Sequence, residues 1–323
     1  MLCGVMMNAH SRGKLKASSK IYSIMVILVN QVVWIYHMFL RSLNNILNPL
    51  CVLFVWKMLI KSATFSMNPY TAPRPYGFQP IFSQTYWDTI HDDVWKMVSM
   101  VFSTGFINPS LIDTFIVPIP KVDNTTCMRD FRPISLCKAL LKIISKVLVL
   151  RIRPHLDTFI GPCQISFIPG GGMWYNALVE QEIVHSMHKK KGRSGYLMFK
   201  INFEKTYDRV DWDFLWLTLS EFGFPCTTIR VIMNCITSTS LAWRWNSEVQ
   251  EGFKPSKGLR QGDHMSPYLF VLCTEKLALM IQELVTSKKW HPVKITKQIP
   301  TISHLFFAYD FLLFTMAKFS QGD

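Results

Sequence analysis

The chain has 323 residues, of which 49% are hydrophobic and 13% aromatic, so it can build a packed core and wholesale disorder is not expected. Its formal net charge of +14 favours a polyanionic partner, nucleic acid first and an anionic membrane surface second, although a generic basic protein would carry a similar charge. The eight cysteines form no CxxC pair and show no zinc-ligand spacing, and we interpret them as reduced, mostly buried thiols.

The N-terminal extension, residues 1–66, combines a basic start with an apolar block. Its stretch 21–40 contains no Asp, Glu, Lys or Arg and is long enough to span a bilayer as a helix, with the N-terminus in the cytoplasm. Asn30, Gln31 and His37 lie inside that stretch, and placing each polar side chain in a bilayer core costs free energy. Three interpretations stay open: a membrane anchor, a buried or aggregation-prone helix, and non-native coding sequence joined upstream.

The middle of the chain mixes helical patterns with basic loops. Apolar residues recur every three or four positions over 86–98 and over 134–150, which predicts two helices. Residues 116–121 predict a short strand, and the prolines in it favour an edge position.

The last third alternates strands and helices. Strict alternation over 196–203 predicts a half-buried strand, with Leu197, Phe199 and Ile201 towards the core and with Lys200 and Asn202 towards a cleft. Helices are predicted at about 212–222 and 266–284. Two short apolar strands around a turn at Tyr309-Asp310 complete this part.

Several sequence blocks occur in order, with family-like spacing, between residues 67 and 316. They are Ala72–Phe78 (APRPYGF), Ile116–Lys121 (IVPIPK), Phe131–Cys137 (FRPISLC), Tyr207–Leu215 (YDRVDWDFL), Gly258–Asp263 (GLRQGD) followed by Ser266–Phe270 (SPYLF), and Ser303–Asp310 (SHLFFAYD). Together they resemble the reverse transcriptase of LINE-type (non-LTR) retrotransposons. The chain resembles a degenerate copy of that domain.

The resemblance implies an α+β right-hand polymerase. Residues 67–195 would form a fingers-like region, and residues 196–316 a palm-like region whose antiparallel sheet is backed by helices. No thumb is expected, because the chain ends shortly after the last block.

The resemblance also implies a divalent-metal site. In the family, three carboxylates hold two Mg²⁺ ions, which activate the primer hydroxyl and stabilise the leaving pyrophosphate. Two of the three positions fall here on Asn202 and Tyr309, and Asp310 is the surviving carboxylate and metal ligand. A neutral amide cannot bridge two cations, and a phenol stays protonated at neutral pH. We therefore expect Mg²⁺ binding to be lost or weak. The chain resembles an RNA-directed DNA polymerase, and we expect it to lack polymerase activity because two metal-ligand positions carry the wrong residues.

Other functional positions of the family survive. Tyr207, Gln261, Gly262 and Arg132 fall where the family contacts the incoming nucleotide, although Tyr207 alone also fits a core tyrosine. The implied partners are an RNA template and an RNA/DNA hybrid, and the sequence indicates no protein partner. Two alternatives stay open: a non-catalytic basic nucleic-acid-binding module, and a membrane-anchored protein with a vestigial polymerase domain.

Overall fold

The computed structural model describes residues 3–4, 53–70, 78–164, 173–191, 195–203, 205–246, 248–294, 301–307 and 310–317. Its helices are α1 (Leu53–Phe65), α2 (Pro80–Thr85), α3 (Trp87–Thr104), α4 (Pro109–Ile112), α5 (Ala139–Ile152), α6 (Leu156–Phe159), α7 (Met173–Lys189), α8 (Trp212–Glu221), α9 (Cys226–Thr237) and α10 (Ser266–Thr286). Its strands are β1 (Cys3–Gly4), β2 (Thr114–Pro120), β3 (Phe131–Cys137), β4 (Tyr196–Asn202), β5 (Leu241–Trp245), β6 (Glu248–Val249), β7 (His304–Phe306) and β8 (Asp310–Met316). The fold is therefore mixed α and β, as the sequence predicted.

The chain forms two compact units. The first unit contains residues 1–39, 156–206 and 271–323, and the second contains residues 40–155 and 207–270. The predicted boundaries at residues 66 and 195 stay a prediction.

The first unit is built on an antiparallel sheet with the strand order β1-β4-β8-β7. Helix α7 contributes Val179 and Ile183 to a buried cluster with Leu305, Leu312 and Phe314 from β7 and β8. These side chains remove a continuous apolar surface from water, which is the main favourable term in holding a helix on a sheet. The sheet of this unit is thus backed by a helix.

The face of β4 that packs on this core differs in part from the prediction. Lys200 and Asn202 are exposed, as predicted, but Leu197, Phe199 and Ile201 are half-buried rather than buried. The reason is that Tyr196 and Met198, on the same face as Lys200 and Asn202, pack against the cluster under α7. One face of β4 is therefore apolar at its start and polar at its end, which simple alternation cannot distinguish.

The second unit is built on a sheet with the order β3-β2-β5-β6, in which β2 runs antiparallel to β3 and parallel to β5. The prediction that the proline-containing strand lies at an edge was wrong, because β2 is central. Its contact with β5 covers Thr114, Phe115 and Ile116 alone, so Pro118 and Pro120 lie where the pairing with β5 has ended. The missing proline N–H groups are therefore not needed by a second neighbour.

The helix predicted over 134–150 begins later than expected. Residues 134–137 belong to β3, which pairs with β2 from Phe131 to Cys137, and the helix α5 starts at Ala139. Long-range pairing thus overrides the helical periodicity of four residues. The other predicted helices, at 86–98, 212–222 and 266–284, are confirmed as α3, α8 and α10.

Within the part of the chain that the structure describes, no helix is long and apolar enough to cross a membrane. The stretch 21–40, for which a membrane segment was one interpretation, lies outside the described residues.

Candidate active site

The end of β4 and the start of β8 bring together two of the predicted site residues. Asn202, the last residue of β4, pairs directly with Asp310, the first residue of β8. The N–H of Phe307 donates to the carbonyl oxygen of Asp310 at 2.8 Å, so Asp310 opens the strand instead of lying inside the turn. Tyr309 and Glu204, which the sequence places next to this pair, lie outside the described residues.

Lys200, which the sequence placed on the cleft face but not among the site residues, joins this pair. The ammonium of Lys200 lies 3.3 Å from the Asp310 carboxylate, and the two side chains are 57% and 39% exposed. Lys200 pairs with Leu312 across the sheet, so it reaches Asp310 diagonally, which a long side chain can do. Alternation along β4 already put Lys200 on the face of Asn202, and this was the signal that could have found it.

The second unit holds a turn over residues 258–263. Two backbone bonds tie its first residues to the loop before α8: the N–H of Gly258 donates to Val210 at 2.8 Å, and the N–H of Leu259 donates to Tyr207 at 2.7 Å. The indole of Trp212 donates to the Gly258 carbonyl at 2.9 Å. Gly258 has a φ of +98°, which favours glycine. The turn is therefore anchored to residues 207–210.

Gln261 and Gly262 form the tip of this turn. The Gln261 carbonyl accepts from the N–H of Ser135 at 2.8 Å, and its amide donates to the Asp208 carboxylate at 3.3 Å. Gly262 is exposed, has a φ of +98°, and leaves little room for a methyl group, since a Cβ would lie 3.2 Å from the Ser135 carbonyl oxygen. Arg132, exposed on β3, lies three residues before Ser135 on that strand. Gln261 and Gly262 thus lie against β3, and Arg132 lies further along the same strand.

A buried ion pair closes the base of the same turn. The Arg260 guanidinium lies 3.0 Å from the Asp263 carboxylate, and the two side chains are 6% and 3% exposed. The Ser145 hydroxyl donates to the same carboxylate at 2.5 Å, and Arg260 donates to the Thr239 hydroxyl at 2.8 Å. Burial acts to raise the pKa of Asp263, but the Arg260 guanidinium and the Ser145 hydrogen bond outweigh it and hold that pKa below its usual value. Asp263 is therefore a structural anion.

Tyr207 is 9% exposed, and its ring stacks on Phe270 with 5.2 Å between centroids. This packing fits a core tyrosine, and the nucleotide contact that the resemblance implies for Tyr207 stays a prediction. Its backbone, through Leu259, still connects it to the turn that carries Gln261.

Comparison with known proteins identifies what these two sets of residues belong to. Residues 119–319 match the family model described as reverse transcriptase (RNA-dependent DNA polymerase). The chain belongs to the reverse transcriptase family.

Two relatives of this reverse transcriptase domain come from transposable elements, and a third is a mitochondrial protein. It is 24% identical over 205 residues to the uncharacterized 149 kDa protein of transposon TX1 from Xenopus laevis, covering 64% of this chain and 16% of that protein. It is 24% identical over 218 residues to the retrovirus-related Pol polyprotein of the type-2 retrotransposable element R2DM from Drosophila melanogaster, covering 68% and 20%. An uncharacterized mitochondrial protein of Arabidopsis thaliana is 45% identical over 56 residues, covering 17% and 46%.

The domain is therefore a reverse transcriptase domain of the LINE (non-LTR) type, as the sequence blocks predicted. The chain spans a fifth or less of the length of the TX1 and R2DM proteins. Members of the family use Mg²⁺ and bind nucleic-acid templates.

The described residues of this reverse transcriptase do not fit a pair of divalent cations. Asp310 is the one acidic residue of β4, β7 and β8, strands that the structure describes in full, and its carboxylate already faces the Lys200 ammonium. Opposite it stands the neutral amide of Asn202. Among the described residues, no group of three or more His, Cys, Asp or Glu side chains could hold a metal ion. Two divalent ions bring four positive charges, which one paired carboxylate cannot balance.

Proposed function

We propose that this reverse transcriptase domain is catalytically silent, a degenerate copy of a LINE-type polymerase. In this assignment the β4–β8–β7 sheet belongs to the palm, and the β2–β3 pair to the fingers. Asn202 and Tyr309 stand at two of the three metal-ligand positions of the family, and Asp310 at the third. Tyr207, Gln261, Gly262 and Arg132 are remnants of the nucleotide site.

The observation that carries this proposal is the composition of the polar end of β4 and β8. Lys200, Asn202 and Asp310 share one face, and their formal charges sum to zero. Such a face offers no surplus of negative charge to a divalent cation. Stabilisation by metal ions is worth several kcal/mol, and a loss of about 4 kcal/mol alone is roughly a thousandfold in rate.

Primer extension tests the proposal directly. The purified chain is given an RNA template with an annealed DNA primer and nucleotides, in Mg²⁺ and separately in Mn²⁺, beside an active reverse transcriptase as positive control. We expect no extension above the background without protein. Template-dependent synthesis that Asp310→Ala abolishes would overturn the proposal, and would mean that another carboxylate, such as Glu204, completes the site.

We propose further that the domain retains weak nucleic-acid binding without base preference, to an RNA template or an RNA/DNA hybrid. The net charge of +14 supports this, together with Lys189 and Lys191, which are exposed at the end of α7 and just beyond it. Arg193, the next basic residue along, lies outside the described residues.

Fluorescence anisotropy with a labelled single-stranded RNA tests the binding proposal. Because phosphate contacts release counterions, affinity should fall roughly tenfold or more between 50 and 200 mM salt. The double substitution Lys189→Gln and Lys191→Gln should weaken binding and flatten the salt dependence. An affinity that does not change with salt would contradict the proposal.

A further inference from the structure

The ion pair between Lys200 and Asp310 has a definite geometry. Both residues lie on the face of the β4–β8 pair that ends in Asn202. Their neighbours on that face carry no charge: Leu312 belongs to the buried cluster under α7, and Met198 packs against that cluster. Of the charged residues on these two strands, Lys200 and Asp310 are therefore each other's counter-ions, 3.3 Å apart.

The position of the ammonium matters because a carboxylate at a metal site has to present its oxygens to the cation. Lys200 lies against one Asp310 oxygen, and Asn202 lies directly across from the same residue. A divalent ion approaching Asp310 would have to displace the ammonium or accept it as a like-charged neighbour, and like charges at such distances repel even in water.

We infer that Lys200 acts as a built-in counter-cation that competes with divalent metal ions for Asp310. This inference rests on the proposed loss of the metal site and adds a cause to it. The missing carboxylates remove attraction, whereas Lys200 adds repulsion and occupies one of the ligand oxygens that remain. Lys200 does not bind the metal itself and acts through its contact with Asp310.

Manganese binding tests the inference without any need for polymerase activity. Manganese chloride is titrated into the full chain, and the free ion is measured by electron paramagnetic resonance at room temperature. Lys200→Met keeps an apolar stem of similar length and removes the charge. We expect Lys200→Met to tighten Mn²⁺ binding about three- to tenfold relative to the unmodified chain, the effect of one unit charge near the ion in a solvated setting.

Two matched variants show where the ion binds. Lys294→Met removes another exposed lysine of the same unit and therefore changes the net charge by the same amount. It should leave Mn²⁺ binding unchanged. Lys200→Met combined with Asp310→Asn should lose the gain, because the carboxylate is gone. Circular dichroism of each variant verifies that it is folded.

The outcomes separate the two proposals. Equal Mn²⁺ binding by the unmodified chain and by Lys200→Met overturns the inference and leaves the proposed loss of activity standing. A gain that Lys294→Met reproduces also overturns it, since the effect would then be one of net charge. Tight, saturable Mn²⁺ binding by the unmodified chain, lost with Asp310→Asn, contradicts both.

Discussion

Arg260→Met tests whether a buried ion pair holds the turn that carries Gln261 and Gly262. The side chains of Arg260 and Asp263 are 6% and 3% exposed, with their charged atoms 3.0 Å apart. Without the guanidinium, the Asp263 carboxylate keeps two neutral donors, the Ser145 hydroxyl and the backbone N–H of Met265. A buried charge that loses its partner costs about 3 to 5 kcal/mol.

Protonation sets a limit on this cost. If Asp263 folds in its neutral form, taking up the proton at pH 7 costs about 4 kcal/mol relative to an unfolded pKa near 3.9. We therefore expect Arg260→Met to lower the free energy of unfolding by about 3 to 4 kcal/mol at pH 7. In the variant the folded pKa of Asp263 is raised, so the contribution of Asp263 to stability is largest at low pH and falls as pH rises. The loss should shrink to about 1.5 kcal/mol at pH 5.

Urea unfolding followed by circular dichroism at pH 5 and pH 7 measures this effect. Differences from the unmodified chain are compared, so that groups titrating in both proteins cancel. The double variant Arg260→Met with Asp263→Asn no longer buries an unpaired charge and should recover at least half of the loss at pH 7. A loss that is equal at both pH values, or that the second substitution does not relieve, refutes the reasoning.

Three further predictions concern two buried titratable side chains and one glycine. Burial raises the pKa of Glu275 to about 7, so its contribution to stability is full below about pH 4.5 and is lost as pH rises through 7. Glu275→Gln should flatten that slope in urea titrations, and an unchanged slope would contradict the assignment. Burial lowers the pKa of His304 to about 4, so its contribution is present above about pH 6.5 and is lost as pH falls through 4. Nuclear magnetic resonance should therefore find a neutral imidazole at pH 5, and a protonated ring there would show that His304 is solvated. At Gly258, with a φ of +98°, an added Cβ would lie 2.8 Å from the Asp208 carbonyl oxygen. Gly258→Ala should lower the free energy of unfolding by roughly 2 kcal/mol or more. Gly195→Ala, whose Cβ would meet the Ala317 side chain at an ordinary 3.5 Å, should change it by less than about 1 kcal/mol, and equal losses in thermal or urea unfolding would contradict the strain argument.

Periodicity predicted the elements whose own residues determine them. The helix α10 is apolar on most faces over its length, and α8 is capped by Asp211, whose carboxylate accepts from the N–H of Phe214. Residues 134–137 were misjudged because their partner strand, β2, lies some twenty residues away in the sequence. A helical pattern of four residues carries too little information to outweigh such a pairing.

The candidate site was likewise predictable from the sequence only in part. The order of the sequence blocks indicated the family and suggested that Asn202 and Asp310 belong together, and the two residues do pair across β4 and β8. The partners that surround the site were not predictable. The Ser145 hydroxyl bonds to Asp263 over a separation of 118 residues, and the pairing of Lys200 with Asp310 depends on the strand register. Both are long-range facts that a local pattern does not contain.

Restoring the missing carboxylates tests the central claim most directly. The double substitution Asn202→Asp and Tyr309→Asp returns two anionic ligands beside Asp310, and Mn²⁺ binding is measured on it, on each single variant and on the unmodified chain. We expect tight, saturable Mn²⁺ binding in the double variant, less than half of that gain in free energy from either single change, and only weak binding without saturation in the unmodified chain. Saturable binding by the unmodified chain, or a double variant that binds no better than it does, would contradict the claim that these two residues cost the domain its metal site.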